Sequence, residues 1–425
     1  MGSEQKIIPD EWDLKTLGDI ADVSSGGSAP QGDKYFDGES PFVRVQHIDQ
    51  DTDSINRYDL ITDEAVKKYK LKKYKAGTIV FPKSGASIYL EKRAVLPVDA
   101  YIASHLCAVN SAQRDVYQYF LFYSLKHILL SKGKADGYPT LNLSEVKRVA
   151  IPVPAFEEQK KVVRVLSVIK KAIEQQEKII TKTKKLKRSL MHWLFTYGLR
   201  SDELKETENG LIPVSWSLVP LEKIVEVVYG AQAAVAHALD SSIGTPIFTN
   251  INITNTGDLD LATLRYYKVP DKKRDRLILE KGDILFNWRS GSKDHVGKTA
   301  FFDLDGEYTF SSFILRFRTK KTINNIYLYW YLQFLKSIGY FSQYRDQSSV
   351  NSVFNASAAS VIPVAVCGKE EQIEIGETLC AVNNKIKEEQ NRLVLMKSLF
   401  KSMLNNLMTG KVRVRDIDFE GVVCE

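Results

Sequence analysis

At 425 residues the chain is too long for one ordinary domain, and two globular units of roughly 150 residues with connectors suit the usual size range. A formal net charge of +7 is compatible with nucleic acid without requiring it. Cys107, Cys367, Cys380 and Cys424 are scattered with no CxxC pair, which argues against a disulfide framework or a zinc site. No run of about 18 apolar residues occurs, so a soluble cytoplasmic protein with no membrane partner is expected.

In chain order, the amino-terminal third reads as short strands. Phe42-Val43-Arg44-Val45, Thr78-Ile79-Val80-Phe81 and Ile102-Ala103-Ser104-His105-Leu106 are β-branched or aromatic runs separated by Gly, Pro, Asp and Ser. A helix is predicted over Val116–Leu130, making the module α+β. From Phe156 a helix of about 40 residues is predicted, because Val162, Leu166, Ile169, Ile173, Ile180, Leu190 and Leu194 follow heptad steps, interrupted by Gln176. The polar, aperiodic stretch that follows reads as a linker. A second module carries its own helix, Ile326–Ile338, and a second long helix with Ile375, Leu379, Val382, Ile386, Leu393, Met403 and Leu407 on the seam and Glu389 as the polar interruption. The expected boundaries are 1–155 for the first module, 156–197 for its helix, 198–212 for the linker, 213–368 for the second module, 369–410 for its helix and 411–425 for the tail.

The two modules are copies. Ile8-Pro9-Asp10-Glu11-Trp12 returns as Ile212-Pro213-Val214-Ser215-Trp216, and Leu17 to Gly26 returns as Leu221 to Gly230, both 204 residues later. Ala76-Gly77-Thr78-Ile79-Val80-Phe81 matches Lys281-Gly282-Asp283-Ile284-Leu285-Phe286 at 205, and Glu157-Glu158-Gln159 matches Glu370-Glu371-Gln372 at 213. So long a period excludes a solenoid and indicates duplication of a domain with its helix. Tail plus amino terminus would correspond to the internal linker, so the duplication is circular. Two such helices in one chain are expected to pair as an antiparallel coiled coil, each roughly 60 Å long at ~1.5 Å per residue.

The Ile-Pro-x-x-Trp pairs, the two Glu-Gln helix starts, the segment Thr207-Glu208-Asn209-Gly210-Leu211-Ile212-Pro213 and the ending Leu407-Met408-Thr409-Gly410-Lys411-Val412-Arg413-Val414 resemble the specificity subunit of type I restriction-modification systems. The resemblance implies two target recognition domains separated by an antiparallel coiled coil, pseudo-twofold symmetric. It also implies a non-catalytic subunit that selects a bipartite double-stranded DNA target, docks two methyltransferase subunits and is joined through them by motor-nuclease subunits. Trp193-Leu194-Phe195-Thr196-Tyr197-Gly198 departs from the plainer Asn406-Leu407-Met408-Thr409-Gly410 of the second helix.

The chemistry the chain lacks agrees with this. There is no Asn/Asp-Pro-Pro-aromatic motif, no GxxxxGK[ST] loop, and no metal-spaced pair among His47, His105, His127, His192, His237 and His295, so no cofactor is expected. Asp136 followed by Glu145-Val146-Lys147 is a nuclease-like string without a clear echo in the second copy. DNA contacts are expected from polar loop residues, since Arg, Lys, Asn and Gln read base edges and any cation serves phosphates. In the first module these are Lys34, Arg44, Gln46, His47, Lys83, Ser84, Lys92 and Arg93; in the second, Thr249, Asn250, Asn252, Trp288, Arg289, Lys293, His295 and Lys298. Lys132, Lys134 and Tyr138, with Arg345, Gln347 and Asn351, form a second candidate loop. The first long helix is basic, with eleven Lys or Arg over 160–190 against Glu174 and Glu177, placing a cationic face near spacer phosphates or an acidic partner. Two competing functions stay open: the specificity partner of a fused methylase-nuclease, and a scaffold spacing two protein-binding domains.

Overall fold

Strand-forming runs and helical seams alternate twice along the chain, and the computed structural model folds them accordingly. It describes residues 8–50, 52–133, 139–200, 203–232, 244–290, 295–342, 352–353 and 356–415. Two units result, Met1–Glu177 with Arg392–Glu425, and Lys178–Asn391, so the division falls inside both long helices.

In the first unit Ala21–Ser25, Leu106–Ser111, Ile79–Pro82 and Ala94–Val95 lie side by side as an antiparallel sheet. Ile79, Val80 and Phe81 are all buried, as a strand covered on both faces requires, which is why that run is uniformly apolar. A second sheet orders Asp59–Ile61, Phe36–Val43, Ala100–Ile102 and Lys73–Tyr74, its central pair parallel. The expected run Ile102–Leu106 is thus two strands in different sheets, joined by a turn in which the Leu106 amide donates to Ala103 O at 2.9 Å. The second unit repeats the plan with Val225–Tyr229, Ile314–Thr319, Ile284–Asn287 and Thr299–Phe301 in one sheet and Arg265–Tyr267, Thr245–Phe248 and Thr309–Phe310 in the other.

Each domain leans on a short helix, Gln118–His127 or Asn325–Ser337. The first is shorter than the predicted Val116–Leu130 at both ends: at its start the Tyr117 amide donates to Gln159 Oε1 at 2.8 Å, and at its end Ile128 is already extended. In the second copy Asn324 N donates to Gln372 Oε1, also at 2.8 Å. Gln159 and Gln372 are buried at the start of the long helices, and their Nε2 groups donate to Pro154 O and Cys367 O. The Glu-Gln signature is therefore a joint between domain and long helix.

The long helices are Phe156–Tyr197 and Lys369–Met408. They run antiparallel in each unit: Glu177 pairs with Lys397 at 2.7 Å in the first, and Lys187 donates to Asn383 at 2.8 Å in the second, where Leu199 N also donates to Glu371 at 2.8 Å. Of the seam, Val162, Leu166, Ile173, Ile180, Leu194, Ile375, Leu379, Ile386 and Leu407 are buried, while Ile169, Leu190, Val382, Leu393 and Met403 are half-buried. The interruptions Gln176 and Glu389 are buried too.

The expected linker is not featureless: Leu204–Thr207 and Gly210–Pro213 form a hairpin whose Asn209 donates to Pro363 O at 2.7 Å. The circular repeat has a structural counterpart. Gly198 (φ 67°) ends the first long helix beside Pro213 and Trp216, and Gly410 (φ 69°) ends the second beside Pro9 and Trp12. A Cβ at Gly410 would lie 2.3 Å from Pro9 Cγ, so both the left-handed backbone and the close approach call for glycine. Beyond it Arg413 bonds Glu158 at 2.7 and 2.9 Å and Glu11 at 2.6 Å, fastening the tail to the first unit.

Candidate nucleic-acid interface

In both units three backbone segments converge at one end of the main sheet. In the second, Gly230 N donates to Ile314 O, Ala231 N to Phe310 O, and Trp288 N to Phe313 O. In the first, Gly26 N donates to Leu106 O, Gly27 N to Ile102 O, and Lys83 N to His105 O. A Cβ on Gly26 or Gly230 would sit 2.2–2.3 Å from carbonyl oxygens of the neighbouring turn, which is why glycine recurs in this frame.

The frame carries different chemistry in the two copies. In the second unit it opens into a cavity of about 750 Å³. Lys273, Arg276 and Arg289 supply its charge, and Tyr229, Tyr267, Trp288 and Phe313 its rings; among the described residues no carboxylate lines it. Trp288 is held by its Nε1 donating to Ser312 O at 2.7 Å and by an edge-on contact with Tyr229, and the Arg289 guanidinium lies 5.7 Å from the Phe313 ring centre. Cations beside aromatic faces suit phosphates and bases. In the first unit the equivalent places hold Lys83, Ser84 and His105, with Ser84 Oγ and His105 Nδ1 2.6 Å apart.

Several predicted contact residues are turned inward instead. His47 and Asn252 occupy one structural position: His47 Nδ1 accepts from Arg44 N at 3.0 Å, and Asn252 Oδ1 accepts from Thr249 N at 2.8 Å, each closing the 3-10 turn that follows the Pro41 or Pro246 strand. Thr249 is buried there as well, its hydroxyl donating to Asn252. Burial pushes the His47 pKa down, so the ring is neutral at neutral pH and able to accept. Arg93 is buried against Glu91 at 2.5 Å and over the Phe81 ring, and Lys298, its counterpart 205 residues on, is buried also; burial lowers both pKa values. Lys92 reaches back to Ile48 O, and Arg44 is paired with Asp59 at 2.7 Å. His47, Arg93, Thr249, Asn252 and Lys298 are thus enclosed in the fold, while Arg44 and Lys92 are half-exposed and already paired, a distinction that residue type cannot make. Because Asn does in one copy what His does in the other, His47→Asn is expected to hold stability within about 0.5 kcal/mol, whereas His47→Ala loses ~1–2 kcal/mol by orphaning the Arg44 amide. Urea titration of the two variants checks this.

Lys34, Gln46 and Lys132 are exposed, and Lys83, Ser84, Asn250 and His295 are half-exposed. Lys134, Tyr138, Lys293, Arg345, Gln347, Asn351 and Asp136 lie outside the described residues. Glu145 of the nuclease-like string is spent on the cap of its short helix, accepting from Asn142 N at 3.0 Å. Lys273, Arg276, Gln232 and Phe313 escaped the sequence reading. Their signal was the basic cluster Lys272-Lys273-Arg274-Asp275-Arg276 and the residues bordering the repeated Gly26 and Gly230. Among the described residues no group of His, Cys, Asp and Glu could hold a metal ion, and no helix is long and apolar enough to cross a membrane.

The model of the type I restriction modification DNA specificity domain matches twice, over residues 9–184 and 213–395. The chain is 24% identical over 429 residues to the MjaVIII type I restriction enzyme specificity subunit of Methanocaldococcus jannaschii, covering 97% of this chain and 95% of that one. Among solved structures, a chain from work on complex assembly and conformational transition of the type I R-M system superposes with a TM-score of 0.63 at 16% identity, over 95% of this chain and 99% of that one. The type I S subunit from M. genitalium gives 0.57 at 14%, over 96% and 98%. Two matches to one domain model, in register with the duplicated units, establish the relationship: the chain belongs to the type I restriction-modification DNA specificity family, as a specificity subunit with two recognition domains and no catalytic activity of its own.

Proposed function

We propose that each recognition domain reads one half of a bipartite double-stranded DNA target, that the paired helices space the halves and dock two methyltransferase subunits, and that motor-nuclease subunits join through the methylase. The observation carrying this reading is the convergent loop frame, alike in backbone in both units and different in side chains: Trp288, Arg289 and Phe313 in one copy, and Lys83, Ser84 and His105 in the other. Two readers of unlike half-sites need a common scaffold and unlike contact residues. Docking on the helices is supported by apolar side chains left in solvent: Val394 and Leu395 are 66% and 71% exposed in the first unit, and Leu186 is 60% exposed in the second. A patch of that kind on a paired helix suits a further protein surface. Exposed Lys182, Lys184 and Lys185 add a cationic face beside it.

Sequencing of methylated adenines in a host carrying this chain with its methylase, and in the same host lacking it, tests the proposal. The expected outcome is a bipartite methylated motif that vanishes with the gene and changes in one half only when residues 10–155 are exchanged. Methylation that is independent of this chain would favour the scaffold.

A further inference from the structure

Six residues past the turn-closing His47 lies Asp53, and six past its counterpart Asn252 lies Asp258. Both aspartates leave their recognition domain to reach a lysine on a long helix. Asp53 takes Lys170 of the first long helix at 3.6 Å and also Lys126 of the domain's own short helix. Asp258 takes Lys387 of the second long helix at 2.6 Å.

Each aspartate stands on a tethered loop. Asp53 O accepts from Val95 N at 2.8 Å. Asp258 O accepts from Thr254 N at 3.0 Å, its own amide donates to Thr254 Oγ1 at 2.9 Å, and its carboxylate accepts from Thr256 Oγ1 at 2.8 Å. The same loop is pinned to the short helix, with Tyr329 OH donating to Gly257 O at 3.4 Å. Lys187 approaches from the first long helix of that unit, its Nζ bonded to Asn383 and lying 5.2 Å from the Trp330 ring centre.

The Lys387–Asp258 pair, with side chains 52% and 39% exposed, contributes little to stability, whereas Asp53 and Lys170 are more enclosed, at 19% and 15%. What both pairs add is direction, since a carboxylate on a fixed loop and a lysine on a rigid helix restrict the angle between the two. The contacts differ between the copies. In the duplication register of 213, Lys170 corresponds to Asn383 and Lys387 to Glu174, so the second strut meets its helix one turn away from the first.

We propose that Asp53 and Asp258 are positioning residues that set the pose of each recognition domain on its long helix, and thereby the spacer length the subunit accepts. The proposal rests on the reading of the two domains as half-site readers. It is tested with the full chain assembled with its methylase, on a plasmid library bearing the native half-sites at the native spacer and at one base pair shorter and longer. Asp53→Asn, Asp258→Asn and Lys387→Met are expected to keep methylation at the native spacer within about twofold and to raise it about tenfold at the shifted spacers, with unchanged half-site sequences. Asp258→Glu should restore much of the discrimination. Lys387→Met changes only an exposed helix position, so it separates pose from folding. Spacer selectivity unchanged in all three variants, or a change in half-site bases instead, would overturn the positioning role. A wild-type complex that methylates no bipartite sequence would instead overturn the half-site reading, and the positioning role with it.

Discussion

Replacing Arg276 and Arg289 together by alanine is expected to weaken binding of the assembled complex to its target by about 100-fold, with the loss confined to the half-site read by the second domain. A guanidinium placed on a base edge is worth about 1–3 kcal/mol of discrimination, and each phosphate contact removed makes the dependence of log K on log salt shallower by about 0.9. Both side chains line the same cavity. Arg276 is exposed, and what it gives the interior is its backbone oxygen, which accepts from buried Arg316 at 3.1 Å and survives truncation. Arg289 packs on Phe313 at the rim of the same space. Affinity measured across a salt series, together with methylation of half-site variants, gives the answer. Unchanged affinity with an unchanged second half-site would remove the cavity from the DNA interface.

The largest loss of stability is expected from Trp216→Ala, roughly 3–5 kcal/mol for the second unit. Trp216 is 1% exposed, meets Tyr327 edge-on at 6.4 Å between ring centres, and donates from Nε1 to Glu371 Oε2 at 3.2 Å. Truncation opens a void under the end of the first long helix and removes a donor to a buried carboxylate that Leu199 N also holds. Urea unfolding followed by fluorescence and by limited proteolysis measures the effect. A loss below about 1 kcal/mol would mean that the Ile-Pro-x-x-Trp segment is not the anchor inferred here.

The division between what residues announce and what folding assembles runs through particular places. The duplication, the two long helices and their seam were legible in the amino-acid sequence because they are periodic. A helix repeats its buried face every few residues, and a copied domain repeats its whole pattern, so Leu166 and Leu379 declare themselves without any knowledge of the partner surface. Trp12 and Trp216 were legible as a recurring mark, but not as the contact beside Gly410 and Gly198 that joins helix end to domain. The interface was less legible still. His47, Arg93, Thr249, Asn252 and Lys298 have the residue types of DNA contacts, yet they lie inside, because a 3-10 turn needs an acceptor for its free amide and a strand interior encloses what it carries. Conversely, Trp288 and Arg289 were among the expected contacts, whereas Arg276 and Phe313, which line the same cavity, share no local pattern with them. Sequence by itself determined the repeated modules and the helices between them; only tertiary structure decided which polar side chains are spent on the fold and which line the cavity, since burial depends on segments tens of residues apart that meet when the sheets close.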